Sequence, residues 1–380
     1  MSRTLTTSRG SHARLMPIFL LAAGAACAAG LETGTAVASD GATFHSNTIP
    51  QVGRLGDGRL MIVFGANAKG SPPRSRIAAS FSSDGGLTWT PPRTLYQETQ
   101  PDRFAGDPNM LVDGNNVFVY FTRVDNPNTI RKAWTFCVRS HDNGATWTDP
   151  VEIFIPRQYT PGKTHNAIRL ANGTYAMGIS WDRWPERGLR ARTEGEMDLS
   201  SGLLLSADGL RWTLHGDLHI FIEKVTPGST NGLAEPAVVQ LADGEIYLVL
   251  RSGGSRHYEA RSRDGGVTWS KPVPSALTGH NTPTALWRLE NAPNEIAAVW
   301  NNSPINRFPL AVAISADGGR TWSAPRVLAT SAGPQVSYPG LTQTRDGTLV
   351  AVWQAQREDG GRDIRWARFT REWVLGGAGH

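Results

Sequence analysis

The sequence predicts an all-β fold built from a repeated four-stranded unit, because two patterns recur along its 380 residues. The first is a turn motif, Ser-x-Asp-x-Gly-x-Thr-Trp, which occurs four times in full and once in a form one residue shorter. The second is a pair of apolar stretches joined by an Asp-Gly or Asn-Gly turn, which precedes each turn motif. A fixed period of this length is typical of repeat proteins. The turn motifs occupy residues 82–89, 140–147, 206–212, 262–269 and 315–322.

The turn motif has a structural explanation that needs no ligand. Its Asp carboxylate can accept backbone N–H groups, and its Gly supplies the positive φ that a tight turn requires. Its Trp buries a large apolar surface between neighbouring sheets. We therefore interpret all five copies as self-contained turns, and neither as five active sites nor as calcium sites.

The hairpins set the number of units. Asp-Gly or Asn-Gly between alternating hydrophobic residues is a strong hairpin signal. Six hairpins at intervals of about 58 residues, with five turn motifs, predict a six-bladed β-propeller with four-stranded antiparallel blades. The propeller is expected to be one domain over residues 39–375, with a tail at 376–380, and its sixth blade ends in a strand at 363–369. The charged stretch 183–201 is expected to be a loop. The hairpin turns lie at 57–58, 113–114, 172–173, 243–244, 291–294 and 346–347.

The first 38 residues are predicted to be a secretory signal peptide. Three arginines precede an apolar run at 15–30 that is too short to span a bilayer. Ala36-Val37-Ala38 is a small-x-small cleavage site, so the mature chain is expected to start near Ser39 and to be secreted or periplasmic. Cys27 lies in the run, but the residues before it form a poor lipobox, so lipid anchoring is not expected.

Charge and cysteine content exclude several classes of function. With the leader removed, Cys137 is the remaining cysteine, so no intramolecular disulfide is expected, and its thiol is expected to be buried. The net charge is +5 with no dense Lys/Arg run, which argues against nucleic-acid binding. Scattered arginines suit carboxylate recognition instead. No metal-ligand spacing, cofactor motif or transmembrane span is predicted, and the chain is expected to be a monomer.

Four residues near the ends of predicted inner strands are candidates for chemistry. Glu235 opens an apolar strand, where a carboxylate is costly to bury unless it is paired. Arg251 ends the returning strand, so the two form either part of a site or a structural ion pair. Arg307 precedes the strand into the fifth turn motif, and Tyr338 heads the sixth blade's inner strand.

The turn motif resembles the Asp box (BNR repeat) of the sialidase (neuraminidase) superfamily, and the resemblance is closest over residues 232–354. It implies that Tyr338 is a nucleophile and that Glu235 accepts its proton. It further implies that Arg251 and Arg307 bind the carboxylate of an anionic sugar. Bidentate guanidinium–carboxylate pairing suits that role, and a tyrosine paired to a carboxylate is a workable nucleophile at a carbon that already bears a carboxylate.

The first blade departs from the pattern of that family. Thr48-Ile49-Pro50 stands where the family has Arg-Ile-Pro, so the first substrate arginine is missing. The loop 65–77, which should hold the acid/base Asp, has no acidic residue, and Gln354 replaces the Glu that steadies the first arginine. The remaining candidates are Asp107, His45 and His165 for the general acid, with Asn47 and Arg74 for substrate binding and Arg76 and Asn166 nearby.

The leading hypothesis is a secreted sialidase-like glycoside hydrolase of the exo-α-sialidase type, acting on terminal anionic sugars of a glycan or glycoconjugate. Two alternatives remain open at this point. One is a polysaccharide lyase on uronate-containing glycans, in which a His/Tyr pair performs β-elimination. The other is a non-catalytic glycan-binding propeller.

Overall fold

The computed structural model describes residues 30–70, 74–125, 133–155, 165–183, 197–227, 229–330 and 333–376. Within these ranges the fold is all-β, as predicted, with 24 strands and one short helix. No helix in these ranges is long and apolar enough to cross a membrane.

The strands of the described residues form two eight-stranded and two four-stranded sheets. In each eight-stranded sheet a short parallel contact joins two antiparallel groups of four strands, so we describe six four-stranded units. The first three units contain β2 (Ser46–Arg54), β3 (Leu60–Asn67), β4 (Ser75–Ser82) and β5 (Arg93–Gln97); β6 (Arg103–Asp113), β7 (Asn116–Asp125), β8 (Ala133–Ser140) and β9 (Val151–Ile153); and β10 (His165–Arg169), β11 (Tyr175–Asp182), β12 (Asp198–Ser206) and β13 (Thr213–Leu218). The last three contain β14 (Asn231–Gln240), β15 (Ile246–Ser252), β16 (Arg256–Ser262) and β17 (Val273–Thr278); β18 (Ala285–Arg288), β19 (Ile296–Asn301), β20 (Leu310–Ser315) and β21 (Arg326–Ala329); and β22 (Val336–Gln343), β23 (Leu349–Gln356), β24 (Arg362–Phe369) and β1 (Leu31–Val37). The helix α1 is Arg371–Val374.

Apolar packing joins each unit to the next along the chain. An apolar core cluster lies between each pair of consecutive units, and a further one lies between the sixth and the first. In that last cluster Val352 and Trp366 pack with Ile62 and Phe64. The first strands of all six units line one cavity of about 620 Å³. We call these first strands, which line the cavity, the inner strands: β2, β6, β10, β14, β18 and β22.

The five turn motifs are self-contained, as the sequence predicts. In the fourth copy Asp264 accepts hydrogen bonds from the Ser262 hydroxyl at 2.8 Å and from the backbone N–H of Thr268 at 2.9 Å. The Trp269 indole donates to the Gly266 carbonyl at 3.0 Å. In the first unit Ser82 pairs with Leu60, which places this motif at the hairpin-turn end of the unit. Since the inner strands begin at the other end, the motifs lie away from the predicted site.

The N-terminal strand completes the last unit. β1 pairs antiparallel with β24 from Leu31↔Phe369 to Val37↔Ile364, and Val37 is buried in the cluster between the sixth and first units. Sequence reasoning missed this strand because its residues fall inside the predicted leader, residues 1–38. A mature chain starting at Ser39 would lack β1 and leave the outer edge of β24 unpaired. The rest of the predicted leader, residues 1–29, lies outside the described part of the chain.

Two smaller sequence predictions are also resolved by the described residues. The Cys137 thiol is fully buried, as predicted, and burial raises its pKa to about 12. The prediction of a loop over residues 183–201 is wrong for residues 198–201, which belong to β12 (Asp198–Ser206). Residues 184–196 of that loop, and the leader residue Cys27, lie outside the described ranges.

We predict that β1 contributes to stability. A chain starting at Ser39 should unfold at a lower temperature than one starting at Gly30, with a loss of about 2 kcal/mol or more from exposing Val37 and its partners. Thermal and urea unfolding of the two truncated chains measure the difference. Equal stability would show that β1 is dispensable and that a start at Ser39 is compatible with the fold.

We also predict an acid-sensitive contribution from the turn motifs. Hydrogen bonds from Thr268 and Ser262 lower the pKa of Asp264 to about 2. A carboxyl with a depressed pKa stabilises the fold fully above its unfolded pKa of about 4, and this contribution disappears as the pH falls through about 2. The destabilisation caused by Asp264→Asn should therefore shrink between pH 4 and pH 2 in denaturant titrations. Asp149→Asn, at an exposed aspartate outside the motifs, is the control, and a penalty for Asp264→Asn that is independent of pH would contradict the prediction.

Candidate functional site

Three buried side chains from two units meet at the start of the inner strands. Arg251 donates from Nη1 to Glu235 Oε2 at 2.8 Å, and its Nη1 lies 3.4 Å from the Tyr338 hydroxyl. That hydroxyl also donates to Glu235 Oε1 at 3.4 Å. The three residues are 3%, 6% and 6% exposed for Glu235, Arg251 and Tyr338. The ion pair considered as a structural alternative is thus formed, and the tyrosine belongs to the same cluster, which we call the Tyr338 cluster.

Glu235 and Tyr338 share an unusual backbone conformation with one residue of each other unit. Each unit has one non-glycine residue with positive φ at or just before its first strand, in five cases at an irregularity of the strand pairing. This conformation costs roughly 1–3 kcal/mol and is concentrated at functional sites. The six residues are Ile49, Asp107, Asn166, Glu235, Asn281 and Tyr338.

Arg307 and Asn281 extend the Tyr338 cluster on the side of the fifth unit. The Arg307 guanidinium lies 5.5 Å from the centre of the Tyr338 ring and donates from Nη2 to the Asn281 carbonyl at 2.8 Å. The Asn281 side-chain oxygen accepts from Arg251 Nε at 3.0 Å. Asn281 therefore fixes the relative position of the two arginines that the sequence singled out.

The two positions of the first-unit region that depart from the family pattern, Thr48 and Gln354, make uncharged hydrogen bonds in the structure. Thr48 donates its hydroxyl to the Gly65 carbonyl at 3.3 Å. The Gln354 amide oxygen accepts from the backbone N–H of Ile49 at 2.9 Å, and its nitrogen donates to Ser337 Oγ at 3.2 Å. Gln354 thus holds the inner strands of the first and sixth units together through uncharged hydrogen bonds.

The candidates for the general acid occupy different positions. Asp107 has the same left-handed backbone conformation, at the same point of its unit, as Glu235 and Tyr338, and it is half-buried. His45 lies half-buried just before β2, and its buried Nδ1 has no hydrogen-bond partner. His165 begins β10, and its side chain lies outside what the structure describes.

The two other predicted substrate-binding residues, Asn47 and Arg74, make contacts with the backbone of neighbouring segments. Asn47 is fully buried, and its amide donates to the carbonyls of Phe44 at 3.1 Å and Arg362 at 3.0 Å. Arg74 is exposed just before β4, and its carbonyl accepts from the backbone N–H of Ala68 at 3.0 Å. Their roles in substrate binding stay predictions.

Sequence reasoning missed Asn281 and Arg362. Asn281 precedes β18, whose hairpin turn at 291–294 lacks the Asp-Gly or Asn-Gly pair of the other hairpins. The hairpin pattern therefore does not mark Asn281 as an inner position. A signal for the inner positions was present in the dipeptide Xaa-Pro, which occurs at 49–50, 107–108, 235–236 and 338–339. Arg362 has no such signal, because its neighbours in space are far from it in sequence.

The charges of the site favour an anionic ligand. Within the Tyr338 cluster the Glu235 carboxylate neutralises Arg251, so the adjacent Arg307 guanidinium leaves a surplus of positive charge. Planar guanidinium groups bind carboxylates through paired hydrogen bonds. Among the described residues no group of three or more His, Cys, Asp or Glu side chains is placed to hold a metal ion.

Several known proteins are similar to this chain in sequence or in fold. The chain is 23% identical over 320 residues to a sialidase of Bacteroides fragilis, covering 73% of this chain and 54% of that protein. Its fold matches a Hadza microbial sialidase with a TM-score of 0.70 at 19% identity, covering 87% of this chain and 67% of the other. It also matches a protein of unknown function from Dyadobacter fermentans with a TM-score of 0.69 at 20% identity, covering 90% of this chain and 99% of the other.

The chain spans about half the length of the Bacteroides fragilis sialidase, so that protein's activity is not transferred by this match. The family model for the BNR repeat-like domain matches residues 58–352, which is most of the chain. The chain therefore belongs to the BNR repeat-like domain family, within the sialidase superfamily.

Proposed function

We propose that this protein is a glycoside hydrolase of the exo-α-sialidase type that acts on terminal anionic sugars of a glycan or glycoconjugate. The observation that carries the proposal is the position of the Tyr338 hydroxyl, 3.4 Å from both the Glu235 carboxylate and the Arg251 guanidinium. A buried phenol between a base and a cation is an arrangement suited to nucleophilic catalysis.

We further propose that the six units are the blades of a six-bladed β-propeller. Six four-stranded units, apolar packing between the sixth and first units, and a central cavity lined by all six inner strands support this architecture. The Tyr338 cluster then lies at one mouth of the central channel, and the turn motifs lie at the other end of the blades.

In the proposed first step the Tyr338 oxygen attacks the anomeric carbon while Glu235 accepts the phenolic proton. The bond from the anomeric carbon to the leaving-group oxygen breaks, and a general acid protonates that oxygen. In the second step water attacks the same carbon, the tyrosyl–sugar bond breaks, and the proton held by Glu235 returns to the phenolic oxygen. The acid of the first step accepts the proton of the attacking water.

Asp107 is the general acid that the backbone geometry favours. It occupies in the second unit the left-handed position that Glu235 and Tyr338 occupy in theirs, so its side chain starts from the same ring of inner positions. His45 and His165 remain alternative acids. Arg251 and Arg307 would bind the carboxylate of the sugar, since both are held by Asn281 beside the phenol.

Product analysis distinguishes hydrolysis from lyase chemistry and from binding without turnover. A lyase acting on a uronate glycan yields an unsaturated uronate that absorbs in the ultraviolet, whereas a sialidase releases the chromophore of an aryl sialoside. Saturable binding without turnover on a broad panel of anionic glycans would identify a binding propeller.

We propose in addition that the chain is exported, as the predicted leader implies.

We predict that Tyr338→Phe lowers kcat on an aryl sialoside by at least about a thousandfold, because it removes the attacking oxygen while leaving the ring in place. Thermal unfolding and ligand binding should change little. Hydrolysis of the aryl sialoside, monitored by chromophore release, measures the effect.

The matched control for this variant is Tyr175→Phe. The Tyr175 hydroxyl also donates to a carboxylate, Asp113 Oδ2 at 2.7 Å, but it lies outside the Tyr338 cluster. Its removal should leave kcat unchanged. Near-normal turnover by Tyr338→Phe would rule out the tyrosine nucleophile.

We predict that Asp107→Asn discriminates between leaving groups. Loss of a general acid slows glycosides with poor leaving groups by about 100-fold or more, but it affects an activated nitrophenyl leaving group much less. Rates of Asp107→Asn, His45→Asn and His165→Asn on both kinds of substrate identify the acid. If Asp107→Asn slowed both substrates equally while a histidine variant showed the discrimination, the histidine would be the acid.

A further inference from the structure

Arg362 lies near Thr48, the position at which the family pattern has its first arginine, although Arg362 belongs to the sixth unit. It is the first residue of β24, the third strand of the sixth unit, and it pairs with Ser46 in the parallel contact between β24 and β2. Its backbone N–H donates to the His45 carbonyl at 3.0 Å, and its carbonyl accepts from the Asn47 amide at 3.0 Å. These bonds hold Arg362 opposite Ser46, which lies two residues before Thr48 on β2.

The side chain of Arg362 is a largely buried cation without a counterion. Its Nη1 donates to the Ser46 hydroxyl at 2.7 Å, and its Nε is buried without a hydrogen-bond partner. No carboxylate of the described residues lies within ion-pair distance of it. Arg251 differs in this respect, because Glu235 neutralises it at 2.8 Å.

A series of contacts links Arg362 to the Arg307 side of the Tyr338 cluster. Arg362 pairs across the strands with Gln356, whose Oε1 accepts a hydrogen bond from the Gln335 amide at 2.9 Å. Arg307 Nη1 in turn donates to Gln335 Oε1 at 3.2 Å. Burial is the main cause that lowers the pKa of Arg362. A charge that is partly removed from water and unpaired costs free energy unless a ligand compensates for it.

We propose that Arg362 is a third anion-binding arginine, which reaches the carboxylate of the sugar from β24 in place of the arginine missing at Thr48. This proposal rests on the proposed function in assuming a ligand with a sugar carboxylate, whether that ligand is hydrolysed or only bound. The three guanidinium groups of Arg251, Arg307 and Arg362 then surround the side of the Tyr338 cluster that accepts the ligand.

The relocation accounts for the two neighbouring departures from the family pattern. An arginine at position 48 would place a further positive charge next to Arg362, and like charges at close range repel. With Thr48 neutral, no carboxylate is needed at position 354 to balance it, and Gln354 can bond the Ile49 N–H and Ser337 instead. A cation at Arg362 is therefore consistent with uncharged residues at positions 48 and 354.

The test compares Arg362→Met with a control on the same strand. Arg368→Gln removes an arginine from the opposite end of β24, where it pairs with Glu32 at 2.8 Å. Calorimetric titration measures the affinity of each protein for N-acetylneuraminic acid, its 2,3-didehydro analogue and glucuronic acid, and for the methyl ester of each. Thermal unfolding without ligand and hydrolysis of an aryl sialoside complete the set of measurements.

We expect Arg362→Met to lose roughly 10- to 100-fold in affinity for the free acids, as for the loss of one charged hydrogen bond, with little change for the methyl esters. Its unfolding temperature without ligand should stay the same or rise, because an unpaired buried charge is replaced by an apolar group. Arg368→Gln should retain the preference for the free acids.

The inference is overturned if Arg362→Met keeps the wild-type preference for free acids over esters, if the wild-type protein shows no such preference, or if the variant loses stability without losing that preference. Hydrolysis of a sialoside with an unchanged KM in Arg362→Met would leave the proposed function standing and the inference wrong. A preference for free acids that depends on Arg362, in a protein that hydrolyses no glycoside, would leave the inference standing and the proposed activity wrong.

Discussion

The buried ion pair between Glu235 and Arg251 is the interaction on which the rest of the site depends. A lone carboxylate on a strand that is otherwise apolar would carry a large desolvation cost, and the attraction of the guanidinium at 2.8 Å offsets part of that cost. The same two groups fix the Tyr338 hydroxyl between them, and Arg251 in turn is held by Asn281. Loss of either partner would leave the other charge buried and unpaired, so the pair constrains the site both structurally and chemically.

Glu235 lies at a distortion of the backbone that is repeated in every unit. At the inner position of each unit a non-glycine residue adopts positive φ, and at Glu235 and Tyr338 the strand pairing shifts at the same point. This strain is kept in all six units, including that of Ile49, which has no polar side chain to offer. The distortion therefore belongs to the architecture, and the proposed catalytic residues Asp107, Glu235 and Tyr338 are three of the six residues that adopt it.

The local part of this arrangement could be predicted from sequence. The hairpin period located the inner strands, and Glu235, Arg251, Arg307 and Tyr338 were found because each lies at a strand end that the period marks. β1 could not be found in this way, since small residues next to an apolar run read as the end of a leader. Arg362 could not be found either, because its contact with Ser46 joins residues 316 positions apart and depends on how the last unit meets the first. Periodicity predicts what repeats, and the junction between the two ends of the chain does not repeat.

That junction is where the charge balance of the site is decided. Glu235 pairs with Arg251, whereas Arg362 lies at the junction between the sixth and first units, where its Nη1 donates to the Ser46 hydroxyl. In the proposed mechanism the surplus positive charge of Arg307 and Arg362 would stabilise the negative charge that develops on the Tyr338 oxygen as it attacks, and also the carboxylate of an incoming sugar. In the proposed arrangement the ligand carboxylate and the phenolic oxygen share the positive charge of Arg251, Arg307 and Arg362. Shared guanidinium groups would allow one positively charged pocket to serve both binding and catalysis.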